Sequence, residues 1–175
     1  MHILVATDAQ WLVDDVLAAL GDEYTSFTVC NEGREVSKQV ARLDKAGGLY
    51  DLGIFDLQIG SMGGMAVTMA LRLDASLGHA PAIPVLMLLD RIADVHLAKR
   101  CGADGWIVKP LDPLRLRRAA EMVAAGGTYT EAYVEPVVPP ADPVEVAHDA
   151  SDDVPERPIE QVLVESAGPE TAPAG

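Results

Sequence analysis

Cysteine is scarce in this chain of 175 residues, and its two copies belong to no recognisable motif. Cys30 and Cys101 are far apart, and neither has a second cysteine or a histidine cluster at the spacing of a metal site. The scarcity also argues against a small secreted scaffold held together by disulfides. We therefore expect two reduced thiols packed in the core.

Long hydrophobic runs are missing as well. No apolar stretch approaches the ~20 residues that cross a bilayer, and no basic-then-apolar leader precedes the first strand-like segment. We therefore expect a cytoplasmic protein without a transmembrane segment, either free or held at the periphery of a membrane complex.

Basic residues are the third scarcity, since 13 Lys and Arg stand against 27 Asp and Glu, for a formal net charge of −14. A chain of this charge repels phosphate backbones, and nucleic acid is not an expected partner. The acidity is uneven. Residues 131–175 hold 11 acids and one base, whereas residues 1–130 hold 16 acids and 12 bases.

The C-terminal part is rich in Pro, Ala, Glu, Asp and Val and shows neither helical nor strand periodicity. Such a composition buries too little apolar surface to offset the entropy of ordering, and we expect a disordered tail. The predicted organisation is one folded domain over residues 1–127, followed by an acidic tail over residues 128–175. A more apolar stretch at residues 159–164 is a candidate for folding against a partner.

The rest of the sequence alternates short apolar segments with amphipathic ones. The short segments predict buried strands, and the amphipathic ones, several of which stop at glycine, predict helices. The last helix has its own start signal, with Asp112 as cap and Pro113 at its first position. Five strands alternating with five helices predict a doubly wound α/β fold, in which helices flank a five-stranded parallel sheet.

Three charged residues, Asp8, Asp56 and Lys109, each end an apolar, strand-like segment. Because the carboxyl ends of parallel strands share one edge of a sheet, we expect these side chains to meet in one crevice. Carboxylates can hold a hard divalent cation, and a lysine beside them can bind phosphoryl oxygens. The set therefore favours phosphorylation of an aspartate.

The residues around these points resemble the receiver domain of two-component response regulators, over about residues 1–127. Four motifs carry the resemblance in the family's order: ILVATD at residues 3–8, DLQIGSMGG at 56–64, IPVLML at 83–88 and GADGWIVKP at 102–110. The last motif is the most specific, because it keeps the aromatic, the lysine and the following proline. The resemblance implies a CheY-like (flavodoxin-like) fold and a signalling role rather than an enzymatic one.

The resemblance also implies a role for each charged residue. Asp56 would be the phosphoacceptor, with a histidine kinase as its phosphodonor, and Lys109 would contact the phosphoryl group. Mg²⁺ would be held by Asp8, Asp56 and the backbone carbonyl of Gln58. A cation and a lysine are what the developing charge on a transferred phosphoryl group requires.

Four positions depart from the family pattern or bear on its switch. Thr7 replaces an acid, and we expect Mg²⁺ to bind weakly; Gly60 replaces a proline. Leu89 stands where the family has a Thr or Ser hydroxyl that bonds the phosphoryl group, so the usual conformational readout is expected to be altered or absent. Trp106 occupies the place of the reorienting aromatic, and packing alone is the other explanation for it.

Receiver domains commonly bind partners through helix four, strand five and helix five, and the resemblance implies a protein-binding face there. Arg115, Arg117 and Arg118 on helix five are candidates for docking an acidic partner or the chain's own tail. An ordinary solvated helix face explains them equally well. No output domain is expected after residue 127.

Three functions remain open, since fold alone does not choose between them. The chain is a phosphorylatable receiver that signals by protein contact, or a degenerate receiver that serves as a constitutive adaptor or accessory subunit of a larger complex. Thr7 and Leu89 favour the second. A phosphatase of the haloacid dehalogenase type also uses an aspartyl nucleophile after its first strand, but it needs a second Asp two residues on, where this chain has Gln10.

Overall fold

The computed structural model describes residues 1–130. The expected disordered tail and the apolar stretch at residues 159–164 lie outside the described residues, apart from the first three positions of the tail.

Residues 1–130 form six strands and five α-helices. Short 3-10 turns over Gly33–Glu35 and Ile92–Asp94 lead into the second and fourth helices. The strands are β1 (His2–Ala6), β2 (Ser26–Cys30), β3 (Leu52–Asp56), β4 (Val85–Leu89), β5 (Gly105–Val108) and β6 (Tyr129–Thr130), and the helices are α1 (Gln10–Leu20), α2 (Val36–Lys45), α3 (Gly64–Ser76), α4 (Val95–Cys101) and α5 (Pro113–Ala124).

The sheet is parallel throughout and has the order β2-β1-β3-β4-β5-β6. The predicted doubly wound α/β fold is confirmed, with a sixth strand added to the expected five. Tyr129 and Thr130 pair with Gly105 and Trp106, so the sheet continues past residue 127, where the domain was expected to end. Sequence patterns miss such a strand because two residues at a sheet edge form no recognisable apolar run.

Side chains of each strand alternate between the two faces of the sheet. In β1, Ile3 and Val5 face α1 and α5, whereas Leu4 and Ala6 face α2 and α3. Helices therefore cover both faces, as expected when parallel strands are joined by crossover helices. A third apolar group, here named the α4 cluster, consists of Leu57, Met87, Leu89, Ala98, Cys101 and Trp106.

The element boundaries follow from local chemistry. The Asp112 side chain accepts the backbone N–H of Arg115 at 2.8 Å, which caps α5 as predicted. Leu89 is the last residue of β4, paired with Val108, rather than the residue after the strand. This pairing buries Leu89 completely and leaves Asp90 as the first residue beyond the strand.

Both cysteines are free and buried, as expected. Burial, with a smaller contribution from the charge of Glu35, raises the pKa of the Cys30 thiol to about 11. Burial also raises the pKa of Cys101. Within residues 1–130, no helix combines the length and hydropathy needed to cross a membrane.

Candidate functional site

The ends of β1, β3 and β5 deliver the three predicted charged residues to one edge of the sheet. Lys109 Nζ donates a hydrogen bond to Asp56 Oδ1 at 2.8 Å. Asp8 Oδ2 accepts the backbone N–H of Gly60, in the loop that follows Asp56, at 3.1 Å. The structure therefore brings together residues that are up to 101 positions apart in the sequence.

Asp56 is 3% exposed, and both of its carboxylate oxygens are hydrogen-bonded. Besides Lys109, Oδ1 accepts the backbone N–H of Gln58 at 3.2 Å. The Thr7 hydroxyl donates to Oδ2 at 3.0 Å. Thr7 thus removes the charge of the family's acid but supplies a hydrogen bond to Asp56 in its place.

A glycine at position 64 allows α3 to begin directly against the end of β3. A Cβ there would lie only 2.4 Å from the Asp56 carbonyl oxygen, which no side-chain-bearing residue tolerates without a backbone shift. The Gly64 N–H also donates to the Leu57 carbonyl at 3.2 Å. This close approach holds the backbone of Asp56 in place.

Lys109 has a second carboxylate partner. Its Nζ donates to Asp90 Oδ1 at 3.0 Å, and Nζ lies 5.9 Å from the centre of the Trp11 ring. Burial by itself lowers the pKa of Lys109, but the hydrogen bonds and charges of Asp56 and Asp90 outweigh it, and the net pKa is raised. The ammonium form is therefore favoured throughout the neutral range. We call Asp8, Asp56, Asp90 and Lys109 the charged edge.

Sequence reasoning missed Asp90 and Trp11. Asp90 could have been found by the rule that selected Asp8 and Asp56, because it also follows an apolar strand directly. Nothing in the sequence pattern indicates that Trp11 approaches Lys109.

The oxygen donors of the charged edge suit a hard divalent cation, although they form a sparse set. Within residues 1–130, no group of three or more His, Cys, Asp or Glu side chains is arranged to hold a metal ion. Thr7 occupies the place of one acid. The Gly60 N–H already bonds Asp8, and a proline at position 60 would offer no such donor. Asp8, Asp56 and the Gln58 carbonyl would therefore form a weak Mg²⁺ site.

The two switch positions of the family are packed in the α4 cluster. Leu89 is fully buried and Trp106 is 6% exposed. The Lys99 ammonium lies 5.5 Å from the centre of the Trp106 ring. In the described structure the Trp106 Nε1 is buried without a hydrogen-bond partner, an arrangement that costs about 1–3 kcal/mol.

The three arginines of α5 have different surroundings. The Arg115 guanidinium donates to the carbonyls of Val108 and Pro110, at 3.0 and 2.7 Å. Arg117 donates to the Ala19 carbonyl at the end of α1, at 2.8 and 3.2 Å. Arg118 is exposed. The structure therefore directs the guanidinium groups of Arg115 and Arg117 to backbone carbonyls in different elements rather than to one shared basic patch.

In this doubly wound parallel sheet, the ends of the first, third and fifth strands carry two aspartates and a lysine. This arrangement is typical of α/β proteins of the receiver class. Residues 3–121 match the family model described as the response regulator receiver domain, and the chain belongs to that family. The family predicted from the four motifs is thereby confirmed.

Solved structures agree with this assignment. The chemotaxis protein CheY4 of Vibrio cholerae is 26% identical, with a TM-score of 0.56, over 70% of this chain and 97% of that chain. The signal receiver domain of a signal transduction histidine kinase from Syntrophus aciditrophicus is 25% identical, with a TM-score of 0.59, over 75% of this chain and 96% of that chain. No curated protein sequence matches this chain.

A third structure is the receiver domain of the sensor histidine kinase PA1611 from Pseudomonas aeruginosa PAO1. It is 18% identical, with a TM-score of 0.57, over 71% of this chain and 97% of that chain, and it has a magnesium ion coordinated in its active site cleft. At this identity the similarity shows the fold. Receiver domains are in general non-enzymatic signalling domains that typically interact with histidine kinases.

Proposed function

We propose that this chain is a receiver that accepts a phosphoryl group on Asp56 from the phosphohistidine of a histidine kinase, and that acts through protein contact. One observation carries the proposal. Lys109 Nζ lies 2.8 Å from the buried Asp56 carboxylate, with Asp8 at the same edge. This is the arrangement that phosphorylation of an aspartate requires.

In the proposed reaction, an Asp56 carboxylate oxygen attacks phosphorus, the new O–P bond forms, and the P–N bond to the kinase histidine breaks. Lys109 neutralises part of the charge on the phosphoryl oxygens. Asp8, Asp56 and the Gln58 carbonyl would hold Mg²⁺, which when bound neutralises the same oxygens further. The Thr7 and Gln58 hydrogen bonds hold the carboxylate in position for the attack.

The proposed partner face lies on α5 and the neighbouring α4 and β5. Leu114 is 80% exposed and Met122 is 40% exposed, and Arg118 lies between them on the same side of the helix. Positions four apart share one helix face. This stripe offers an apolar contact with one positive charge at its centre, which suits a partner surface with an acidic residue.

The experiment that tests the proposal is phosphorylation of the full chain by acetyl phosphate with Mg²⁺, followed by intact mass spectrometry. We expect the wild type to gain one phosphoryl group and Asp56→Asn to gain none. Asp14→Asn is the matched control, because Asp14 is an exposed carboxylate of α1 bonded only to the neighbouring Gln10 in the described structure. It should react like the wild type.

Failure of the wild type to react with acetyl phosphate or with any histidine kinase would contradict the proposal. The chain would then be better explained as a phosphorylation-independent adaptor or accessory subunit. Leu89, which is fully buried and has no hydroxyl for a phosphoryl group, is the observation that would then favour this function.

A further inference from the structure

We propose that Asp90 is a positioning residue of the charged edge, which competes with the phosphoryl group for Lys109 and so weakens phosphoryl binding. This inference rests on the proposed function of Asp56. It adds to that function a residue outside the set that the family resemblance supplies.

The geometry presents Asp90 directly to Lys109. The backbone N–H of Lys109 donates to the Leu89 carbonyl at 2.8 Å, which holds the ends of β4 and β5 side by side. Asp90 and Lys109, the residues that directly follow these two strands, therefore have neighbouring side chains, and Lys109 Nζ lies 3.0 Å from Asp90 Oδ1. Because the same Nζ contacts Asp56 Oδ1 at 2.8 Å, these two carboxylate oxygens are no more than about 6 Å apart.

The charges at this edge do not balance. One ammonium group faces Asp56 and Asp90, and Asp8 lies at the same edge. The hydrogen bonds of the neighbouring Arg91 go to both oxygens of Asp94, at 3.0 and 3.2 Å, and its charge interacts with Asp90 only over a longer distance. Lys109 is thus the cation that both Asp90 and Asp56 contact directly.

Phosphorylation of Asp56 would sharpen this competition. The phosphoryl group brings additional negative charge to the same ammonium, and Asp90 stays within a few ångströms as a like charge. The centre of the Trp11 ring lies 5.9 Å from Nζ, within the range of a cation–π interaction with the ammonium. Because the Asp90 side chain is 39% exposed, water screens the repulsion, and a moderate rather than an absolute effect follows.

The test is calorimetric titration of beryllium fluoride, a phosphoryl mimic, into the full chain in the presence of Mg²⁺. Asp90→Asn removes the charge and keeps the side-chain size. We expect it to bind the mimic about three- to tenfold more tightly than the wild type at low salt, with the gain shrinking as salt is added. A purely structural role for Asp90 would not produce that salt dependence.

Two controls accompany the titration. Glu32→Gln removes one negative charge from the loop after β2, at the same end of the sheet, where Glu32 pairs with Arg34. It should leave the affinity close to the wild-type value, which separates the contact with Lys109 from the change in net charge. Asp56→Asn should abolish binding in both the wild-type and the Asp90→Asn backgrounds.

The outcomes distinguish this inference from the function on which it rests. If the wild type binds the mimic and Asp90→Asn binds it no better, the role of Asp90 is wrong and the proposed function stands. If both bind the mimic and Asp90→Asn binds it more tightly, the role of Asp90 and the proposed function are both supported. If neither binds, the proposed function fails and the inference fails with it.

Discussion

The charged edge and the α4 cluster meet at two consecutive residues, Leu89 and Asp90, and they are built in opposite ways. In the charged edge, polar groups from several strand ends converge on Lys109 and Asp56 through hydrogen bonds of 2.8–3.2 Å. The α4 cluster is held by apolar packing, and Leu89 contributes to it without any exposed surface. A single peptide unit, between Leu89 and Asp90, thus separates the α4 cluster from the charged edge.

The departures from the family pattern differ between the two regions. In the charged edge, the two replacements keep a polar role, since Thr7 bonds Asp56 and the Gly60 amide bonds Asp8. In the α4 cluster, Leu89 replaces a hydroxyl with hydrocarbon. The comparison teaches that the charged edge keeps polar contacts at its replaced positions, whereas position 89 has become part of the apolar packing.

The largest expected effect comes from removing the positive charge of Lys109 from the charged edge. Lys109→Met keeps the side-chain length but leaves the buried Asp56 without its ion pair, and we expect a loss of about 2–4 kcal/mol in the free energy of unfolding. Urea denaturation measures it. Lys99→Met removes the exposed lysine above Trp106 in the α4 cluster and should cost less than about 1 kcal/mol. Equal losses of unfolding free energy in the two variants would mean that the lysine of the charged edge stabilises the fold no more than the lysine beside the α4 cluster.

The second-largest expected effect is on the coupling between the charged edge and the α4 cluster. Leu89→Thr should cost about 2 kcal/mol in unfolding free energy, because it leaves a cavity and buries a hydroxyl. We also expect it to give Trp106 fluorescence a response to beryllium fluoride that the wild type lacks. The measurement needs a Trp11→Phe background, since Trp11 lies beside Lys109 and would report on the mimic directly.

Leu88→Thr is the matched control for that experiment. Leu88 is equally buried but faces the core formed with α1 and α5. It should lose similar stability and yield no Trp106 response. A normal response in the wild type would contradict the idea that Leu89 uncouples the charged edge from the α4 cluster.

The smallest expected effect is on the binding of Mg²⁺. Thr7→Asp restores the missing acid beside Asp56 and should raise Mg²⁺ affinity about tenfold. In the absence of Mg²⁺, the extra buried carboxylate should lower stability by about 1 kcal/mol. Mg²⁺ titration followed by amide NMR measures the first, and Thr7→Asn controls for loss of the hydroxyl. Unchanged affinity in Thr7→Asp would show that the acid count does not limit cation binding.

Much of the fold could be predicted because its signals are local. Apolar segments ending in a charged residue located β1, β3 and β5, and the Asp112–Pro113 start signal located α5. The starts of α2 and α4 are harder to locate from the sequence, because each helix follows a 3-10 turn whose residue pattern resembles that of a helix. The backbone carbonyls that Arg115 and Arg117 bind could not be predicted, because a position in the sequence does not give the direction of a long side chain.

The amino-acid sequence by itself determined the class of fold, the family and the edge of the sheet at which the site lies, since these follow from hydrophobic periodicity and from residues next to strand ends. Only the tertiary structure decided that Asp90 shares Lys109 with Asp56, that Thr7 and Gly60 act as hydrogen-bond donors, and that Leu89 and Trp106 pack together. Those relations depend on strand order and on side-chain distances of a few ångströms between segments far apart in the chain, which periodicity does not encode.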